Sequence, residues 1–217
     1  ADPQHSEQLV RLVASAAEQI GGRTLMLTTS LRALRLIGDS LSAHFEHSGH
    51  IRVLVQGQSP KRRLLEQFRD AGTQGRPGCI LVASVSFWEG VDVPGDALQM
   101  VVIDKLPFPP PNDPLVEARS QRVERQGRSA FSAYSMPEAA VALKQGAGRL
   151  IRSETDRGVL VIGDTRLTAM GYGKRLLAAL PPMRVLKTEA EFGEMLATLA
   201  VPASPITTSS TTDPTLS

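Results

Sequence analysis

One short segment of the chain combines an amide, two glycines and two arginines at helical spacing. Gln145 and Arg149 are four residues apart and Arg152 follows three residues later, so a helix would bring these side chains to one face. Gly146 and Gly148 have no side chains, so a bulky or charged group can approach that face closely. Two permanently charged guanidinium groups suit a polyphosphate whose negative charge grows during transfer. The segment therefore predicts a phosphate-directed site, although the same spacing also suits a solvated helix face.

A second segment, at residues 84–95, concentrates hydroxyl, carboxylate and glycine residues directly after an apolar run. The hydroxyl groups of Ser84 and Ser86 can hold a phosphate, as can the backbone amides of such a loop. Asp92 can accept a hydrogen bond from a ribose hydroxyl. The segment therefore favours a nucleotide or nucleic-acid site, whereas an ordinary turn with acidic caps would have the same composition.

Short apolar strands alternate with amphipathic helices along most of the chain. This alternation predicts an α/β domain whose parallel sheet is covered by helices on both faces. Such a sheet holds its sites at the carboxyl edge, the edge where the strands end. The predicted strands lie at 24–29, 51–55, 79–84, 98–104 and 158–164, and the predicted helices lie at 6–20, 31–41, 60–70, 113–126 and 137–152, followed by a helix to about residue 180 and a last strand and helix at 184–199.

Composition narrows the class of protein. The 217 residues, 41% of them hydrophobic and 21% charged, predict one soluble core. A net charge of +2 does not by itself demand nucleic acid, and no apolar run is long enough to span a bilayer. The single cysteine, Cys79, excludes an internal disulfide and a four-cysteine cluster within this chain. We expect a cytoplasmic domain at 1–202 and a flexible tail of low complexity at 203–217.

Several segments, in the same order, resemble motifs of the XPD-like superfamily 2 DNA helicases. The pattern Q-x-x-G-R-x-x-R at 145–152 is similar to motif VI of superfamily 2, and FWEGVDVPG at 87–95 is similar to motif V of the XPD/DinG group. The sequences IDKLPFPPPNDP at 103–114 and GRLIRSETDRGV at 148–159 resemble the continuation in DinG- and YoaA-type members. The resemblance covers most of residues 24–182 and is strongest to the YoaA type.

The resemblance implies one RecA-like domain that serves as the second, C-terminal motor domain of an ATP-dependent DNA helicase moving 5′ to 3′. In that family the arginines of motif VI act as arginine fingers on ATP, which implies catalytic roles for Gln145, Arg149 and Arg152. The nucleotide-coupling side of motif V matches Glu89, Gly90 and Asp92. Contacts with the backbone of single-stranded DNA are implied for motif IV and for the hydroxyl side of motif V, at Thr28, Thr29, Ser30, Ser84 and Ser86.

Three of the matches keep a structural alternative. Residues 28–30 also suit a strand end followed by a helix cap. Gln56 and Gly57 match a Q-G pair of the family and also suit a turn. Asp164 and Arg166 match the family's D-x-R, for which we prefer a salt bridge over a catalytic role.

The motifs of a first motor domain are missing from the chain. It contains no G-x-x-x-x-G-K-[ST] phosphate loop, no D-E-A-H-like motif and no four-cysteine iron–sulfur domain. We therefore expect a C-terminal half that holds no metal itself and shares ATP and Mg²⁺ with an N-terminal motor domain, where the iron–sulfur cluster is also expected. The implied partners are single-stranded DNA, that N-terminal motor domain and the chi subunit of the DNA polymerase III clamp-loader complex, but no membrane. A docking surface for chi is predicted in the last quarter of the chain, from about Tyr172 through the helix at 188–199. Its patch would combine residues 181–183 with four apolar positions that also suit a cap on the core: Phe192, Met195, Leu196 and Leu199.

Two other functions stay open at this point. The chain could be a non-catalytic protein-interaction module that retains the RecA-like fold, but Gln145, Arg149, Arg152 and Asp92 argue against a lost motor. It could also be a free-standing nucleotide-binding or phosphate-transfer enzyme, but the missing phosphate loop argues against that.

Overall fold

Five parallel strands form the centre of the structure, a computed structural model that describes residues 3–73, 75–88, 98–150 and 156–200. The strand order is β2-β3-β1-β4-β5, and every neighbouring pair is parallel. In the register, Leu27 of the central strand lies between Ala83 and Ile103. The predicted parallel α/β fold is therefore confirmed. The strands are β1 (Thr24–Thr28), β2 (Ile51–Val55), β3 (Gly78–Ser84), β4 (Met100–Ile103) and β5 (Val159–Ile162).

Helices cover both faces of this sheet, because alternate strand residues point to opposite sides. Leu25 and Leu27 belong to a core with α3, α5, α6 and α7, whereas Met26 belongs to a second core with α1, α2 and α8. A 3-10 turn (Val85–Trp88) follows β3, and a π-helix (Phe131–Ser135) leads into α5. The helices are α1 (Pro3–Gln19), α2 (Leu31–His44), α3 (Lys61–Arg69), α4 (Pro114–Arg125), α5 (Met136–Ala147), α6 (Arg166–Ala169), α7 (Gly173–Ala178) and α8 (Glu189–Ala200).

The helix predicted at 137–152 ends earlier than expected. α5 stops at Ala147, and the chain continues in a tight turn. In that turn the amides of Arg149 and Leu150 donate to carbonyls three residues back, at 3.1 and 3.0 Å. Gly146 and Gly148 explain the early end, because glycine is a poor helix former. The prediction that Gln145 and Arg149 lie on one continuous helix is therefore wrong.

The segment after residue 180 also differs from the prediction. No strand forms at 184–188, where the carboxylate of Glu191 instead accepts from the Arg184 guanidinium at 3.1 Å and from the Lys187 amide at 2.5 Å. α8 buries its apolar side against the core: Leu196 and Leu199 are 1% and 2% exposed, and Phe192 and Met195 pack beside them. The packing of Leu196 and Leu199 favours the alternative of a core cap, and the docking surface on this helix stays a prediction.

The helix expected to run from β5 to about residue 180 is divided into α6 and α7. Gly173 begins α7 directly against the Leu167 backbone, with no room for a side chain. Across the parts of the chain that the structure describes, no helix is long and apolar enough to cross a bilayer.

Candidate functional site

Polar residues lie at or just after the ends of all five strands, at the carboxyl edge of the sheet. The Gln56 side chain, just after β2, accepts hydrogen bonds from the Ser84 amide at 2.7 Å and from the Ser84 hydroxyl at 2.9 Å. Gln56 therefore fixes the end of β3, a role beyond the predicted turn. Sequence reasoning missed this contact because the two residues are 28 positions apart.

Of the three motif IV residues, only two face solvent. Thr28 ends the central strand, is 0% exposed and donates its hydroxyl to the Ala83 carbonyl at 3.4 Å. A direct contact between Thr28 and DNA is inconsistent with this burial. Thr29 and Ser30 are exposed, and Ser30 also caps α2 by accepting from the Ala33 amide at 3.2 Å. Because the cap uses only a lone pair of Ser30, its hydroxyl proton stays able to donate to a ligand.

Asp104, which follows β4, holds this loop in place. Its side chain accepts from the Thr29 amide at 2.8 Å, and its carbonyl lies 3.0 Å from the His5 ring nitrogen of α1. Burial raises the pKa of the Asp104 carboxyl, and the hydrogen bonds from Thr29 and Lys105 oppose that rise. Asp104 is not among the predicted site residues, although an acidic residue directly after a buried strand at the carboxyl edge could have indicated it.

Asp164 and Arg166 form the expected salt bridge after β5. The Arg166 guanidinium donates to both carboxylate oxygens, at 2.6 Å from Nη2 and 2.9 Å from Nε, and the Leu106 amide donates at 2.9 Å. Burial disfavours the Asp164 charge, but the hydrogen bonds from Arg166 and Leu106 outweigh it, so the pKa is lowered from 3.8 to about 2. The bridge ties the segment after β4 to the end of β5.

We expect Asp164→Asn to destabilise the fold by about 2 kcal/mol near neutral pH. The folded-state pKa of Asp164 lies below 3.8, so its contribution is present above that pH and is lost as the pH falls toward about 2. Urea denaturation of both proteins at about pH 7 and about pH 3 should show the difference shrinking in acid. Asp70→Asn is the matched control, because the Asp70–Arg76 pair is 59% and 55% exposed and should contribute about 0–1 kcal/mol. A pH-independent difference for Asp164→Asn would contradict the assigned pKa.

Arg149 lies at the opposite edge of the sheet, the amino edge, where the strands begin. Its neighbour Leu150 is 2% exposed and packs on Gly158, the residue before β5. A Cβ added to Gly158 would lie 2.7 Å from Leu150 Cγ and 2.9 Å from the carbonyl of Gln99, which precedes β4. The expectation that every site lies at the carboxyl edge is therefore wrong for Arg149. The topology could have predicted this, since a helix that follows a parallel strand returns to the amino edge.

The structure does not bring the two groups of candidate residues together. Arg149 is half-buried and Gln145 exposed at the C-terminal end of α5, whereas Thr29, Ser30 and Ser84 lie at the carboxyl edge. A strand rises about 3.3 Å per residue, so the four residues of β5 separate the two edges by about 10 Å. The domain thus presents two distinct candidate surfaces.

Several predicted site residues lie outside the residues that the structure describes: Glu89, Gly90, Asp92, Arg152 and the side chain of Ser86. Within the described ranges, no group of three or more His, Cys, Asp or Glu side chains could hold a metal ion. Cys79 is buried, and burial raises the pKa of its thiol to about 11 despite the nearby Arg52 charge, so it behaves as an unreactive core residue.

Residues 13–183 match the helicase C-terminal domain family. The chain belongs to this family. It is 45% identical over 180 residues to the ATP-dependent DNA helicase YoaA of Escherichia coli, covering 83% of this chain and 27% of that protein. It is 40% identical over 178 residues to the ATP-dependent helicase DinG of Mycobacterium tuberculosis, covering 82% of this chain and 25% of that protein. The resemblance to DinG- and YoaA-type proteins is confirmed.

This helicase C-terminal domain spans about a quarter of the length of those curated relatives. Among solved structures it is similar to an XPD helicase, with a TM-score of 0.60 and 18% identity over 85% of this chain and 32% of that one. The similarity confirms the RecA-like α/β fold.

Proposed function

We propose that this chain is the second motor domain of an ATP-dependent DNA helicase of the DinG/YoaA type that moves 5′ to 3′ along single-stranded DNA. The observation that carries the proposal is the separation of Arg149, at the amino edge, from the exposed hydroxyl groups of Thr29 and Ser30, at the carboxyl edge. A motor must bind nucleotide and nucleic acid at once. The amino edge of this helicase C-terminal domain would face the nucleotide, and the carboxyl edge would face the nucleic acid.

On the nucleotide side, ATP and Mg²⁺ would be held by the N-terminal motor domain, and this chain would complete the site. Arg149 and Arg152 would neutralise the charge that develops on the γ-phosphoryl group, with Gln145 beside them. The packing of buried Leu150 against Gly158 fixes the turn that carries Arg149, and fixed donors cost no reorganisation during reaction. Glu89, Gly90 and Asp92 would couple the nucleotide to the DNA side.

On the DNA side, Thr29, Ser30, Ser84 and Ser86 would contact the phosphates of the single strand. Ser30 fits this role because its hydroxyl proton stays open while its oxygen caps α2. The Ser84 hydroxyl donates to Gln56 at 2.9 Å, so a contact between Ser84 and a phosphate requires that hydroxyl to turn. Contacts of this kind carry no sequence information, which suits a motor that must move over any DNA.

The remaining parts of the proposal rest on the family resemblance. The iron–sulfur cluster would belong to the N-terminal half, and a protein that uses ATP and DNA would work in the cytoplasm. The chi subunit stays a prediction. With the apolar side of α8 buried, the apolar side chains left for it near the predicted surface are Met183 and Val185, which are 42% and 64% exposed.

The chain alone should not hydrolyse ATP, because it lacks a phosphate loop and the partner groups for Mg²⁺. Phosphate release with and without single-stranded DNA measures this directly. The Arg149→Ala variant, purified in the same way, controls for contaminating ATPases. Turnover that the unchanged chain shows and Arg149→Ala abolishes would contradict the half-motor proposal and favour a free-standing enzyme.

A further inference from the structure

Three aromatic rings meet beside the salt bridge of Asp164 and Arg166. The centroid of Phe108 lies 5.4 Å from that of Phe131 and 5.8 Å from that of Tyr172, and the last two are 5.3 Å apart. We call these three residues the aromatic cluster. Phe108 and Tyr172 pack against the core, whereas Phe131 is 42% exposed. The Phe131 ring is therefore exposed to solvent, and the rings of Phe108 and Tyr172 pack beneath it.

The aromatic cluster lies at the carboxyl edge of the sheet. Phe108 follows β4, in the segment whose Leu106 amide donates to Asp164, and Tyr172 follows β5 through α6. In the strand order, β5 is two positions from β1, which leads to Thr29 and Ser30. Neighbouring strands are about 4.8 Å apart, so the ends of β5 and β1 are about 10 Å apart along the edge. A single strand that follows the carboxyl edge could therefore contact both the hydroxyl groups and the rings.

A fixed positive charge accompanies the rings. The Arg166 guanidinium carbon lies 5.7 Å from the Phe108 ring centroid, and the guanidinium donates hydrogen bonds from Nε and Nη2 to the Asp164 carboxylate. The Arg166 side chain is still 48% exposed. The guanidinium and the exposed Phe131 ring thus both adjoin Phe108, and aromatic rings and arginines are the groups that bind bases and phosphates of a single strand.

We propose that the aromatic cluster is a base-stacking site for single-stranded DNA, in which a base packs against the exposed ring of Phe131. The inference rests on the proposed DNA role of the carboxyl edge and adds contact with bases to contact with phosphates. Every base has a π-face, so such a site accepts any sequence. Phe108 and Tyr172 position the Phe131 ring, and Arg166 favours the adjoining phosphate.

Fluorescence anisotropy at low ionic strength tests the site with two labelled probes, an oligothymidylate and an abasic oligonucleotide of equal length. The unchanged chain should prefer the oligothymidylate, and Phe131→Leu should bind it about 5- to 150-fold more weakly while binding the abasic probe as before. Phe131→Trp should retain the preference, because tryptophan restores a stacking face. Leu115→Ala is the control for an exposed apolar side chain, since Leu115 is 60% exposed on α4, and it should change neither affinity. Thermal unfolding of each variant checks that the fold is intact.

The outcomes separate this inference from the proposed function. If Phe131→Leu keeps the full preference for the oligothymidylate, or if the unchanged chain binds both probes equally, the stacking site is overturned and the phosphate contacts stand. If the unchanged chain binds neither probe, the proposed DNA role of this edge fails and the stacking site fails with it.

Discussion

Arg149→Ala in the intact protein that contains this chain is expected to lower ATP turnover by about 10³- to 10⁵-fold, the contribution of the proposed arginine finger. Arg152→Ala should behave alike. Arg149 is half-buried in a turn fixed by Leu150, at the edge of the sheet opposite the exposed hydroxyl groups. Binding of single-stranded DNA should therefore stay largely unchanged. Steady-state ATPase assays and DNA-binding titrations of the same preparations measure the two effects separately.

Two further variants distinguish an arginine finger from an ordinary surface charge. Arg149→Lys should restore little activity, because lysine keeps the charge but lacks the planar fork. Arg62→Ala is the matched control, because the Arg62 side chain is 90% exposed and pairs with Glu66 on α3, a surface contact remote from the proposed nucleotide site. If Arg149→Ala and Arg62→Ala both leave turnover near normal, Arg149 belongs to a solvated surface.

Gly22→Ala is expected to destabilise the domain by about 2–5 kcal/mol. Gly22 has a φ of +85°, which costs a residue with a side chain about 1–2 kcal/mol. An added Cβ would also lie 2.6 Å from the Cys79 amide nitrogen and 2.8 Å from the Gly78 carbonyl carbon, and such overpacking adds about 1–3 kcal/mol. Residues 21–22 pack against the start of β3, and this contact helps to hold β1 beside β3. Ser84 ends β3 and Ser30 follows β1 at the opposite edge of the sheet. Urea denaturation of the chain measures the loss.

Gly21→Ala separates the two causes. Gly21 also has a positive φ, +66°, but nothing lies within 4 Å of a Cβ added there. Its replacement should therefore cost only about 1–2 kcal/mol, the backbone part of the effect. Equal losses for the two variants would contradict the close approach of Gly22 to β3.

The strands and most helices could be predicted because their signals are local. β1 is buried along its whole length and matches an apolar run, and Ser30 caps α2 as its residue type predicts. The end of α5 could not be predicted from periodicity. Leu143, Ala147 and Leu150 all face the core, so the apolar spacing continues through Leu150 although the hydrogen bonds have changed to the tighter pattern of a turn.

The sequence suggests residue types for a candidate site, but it does not reveal the contacts that position them. The polar residues of the carboxyl edge are held by contacts between distant parts of the chain, such as Asp104 with Thr29 and Gln56 with Ser84, separated by 75 and 28 positions. Local sequence carries no record of such pairs. The apolar side of α8 shows the same limit, because its composition suits both a docking surface and a core cap, and only packing decides between them.

The most direct test of the half-motor proposal compares ATP hydrolysis by the intact protein that contains this chain with hydrolysis by the chain alone. Both are measured with and without single-stranded DNA. The proposal predicts hydrolysis that depends on DNA in the intact protein and none in the chain alone. An intact, folded protein that binds single-stranded DNA but hydrolyses no ATP would contradict the proposal and favour a protein-interaction module that retains the fold.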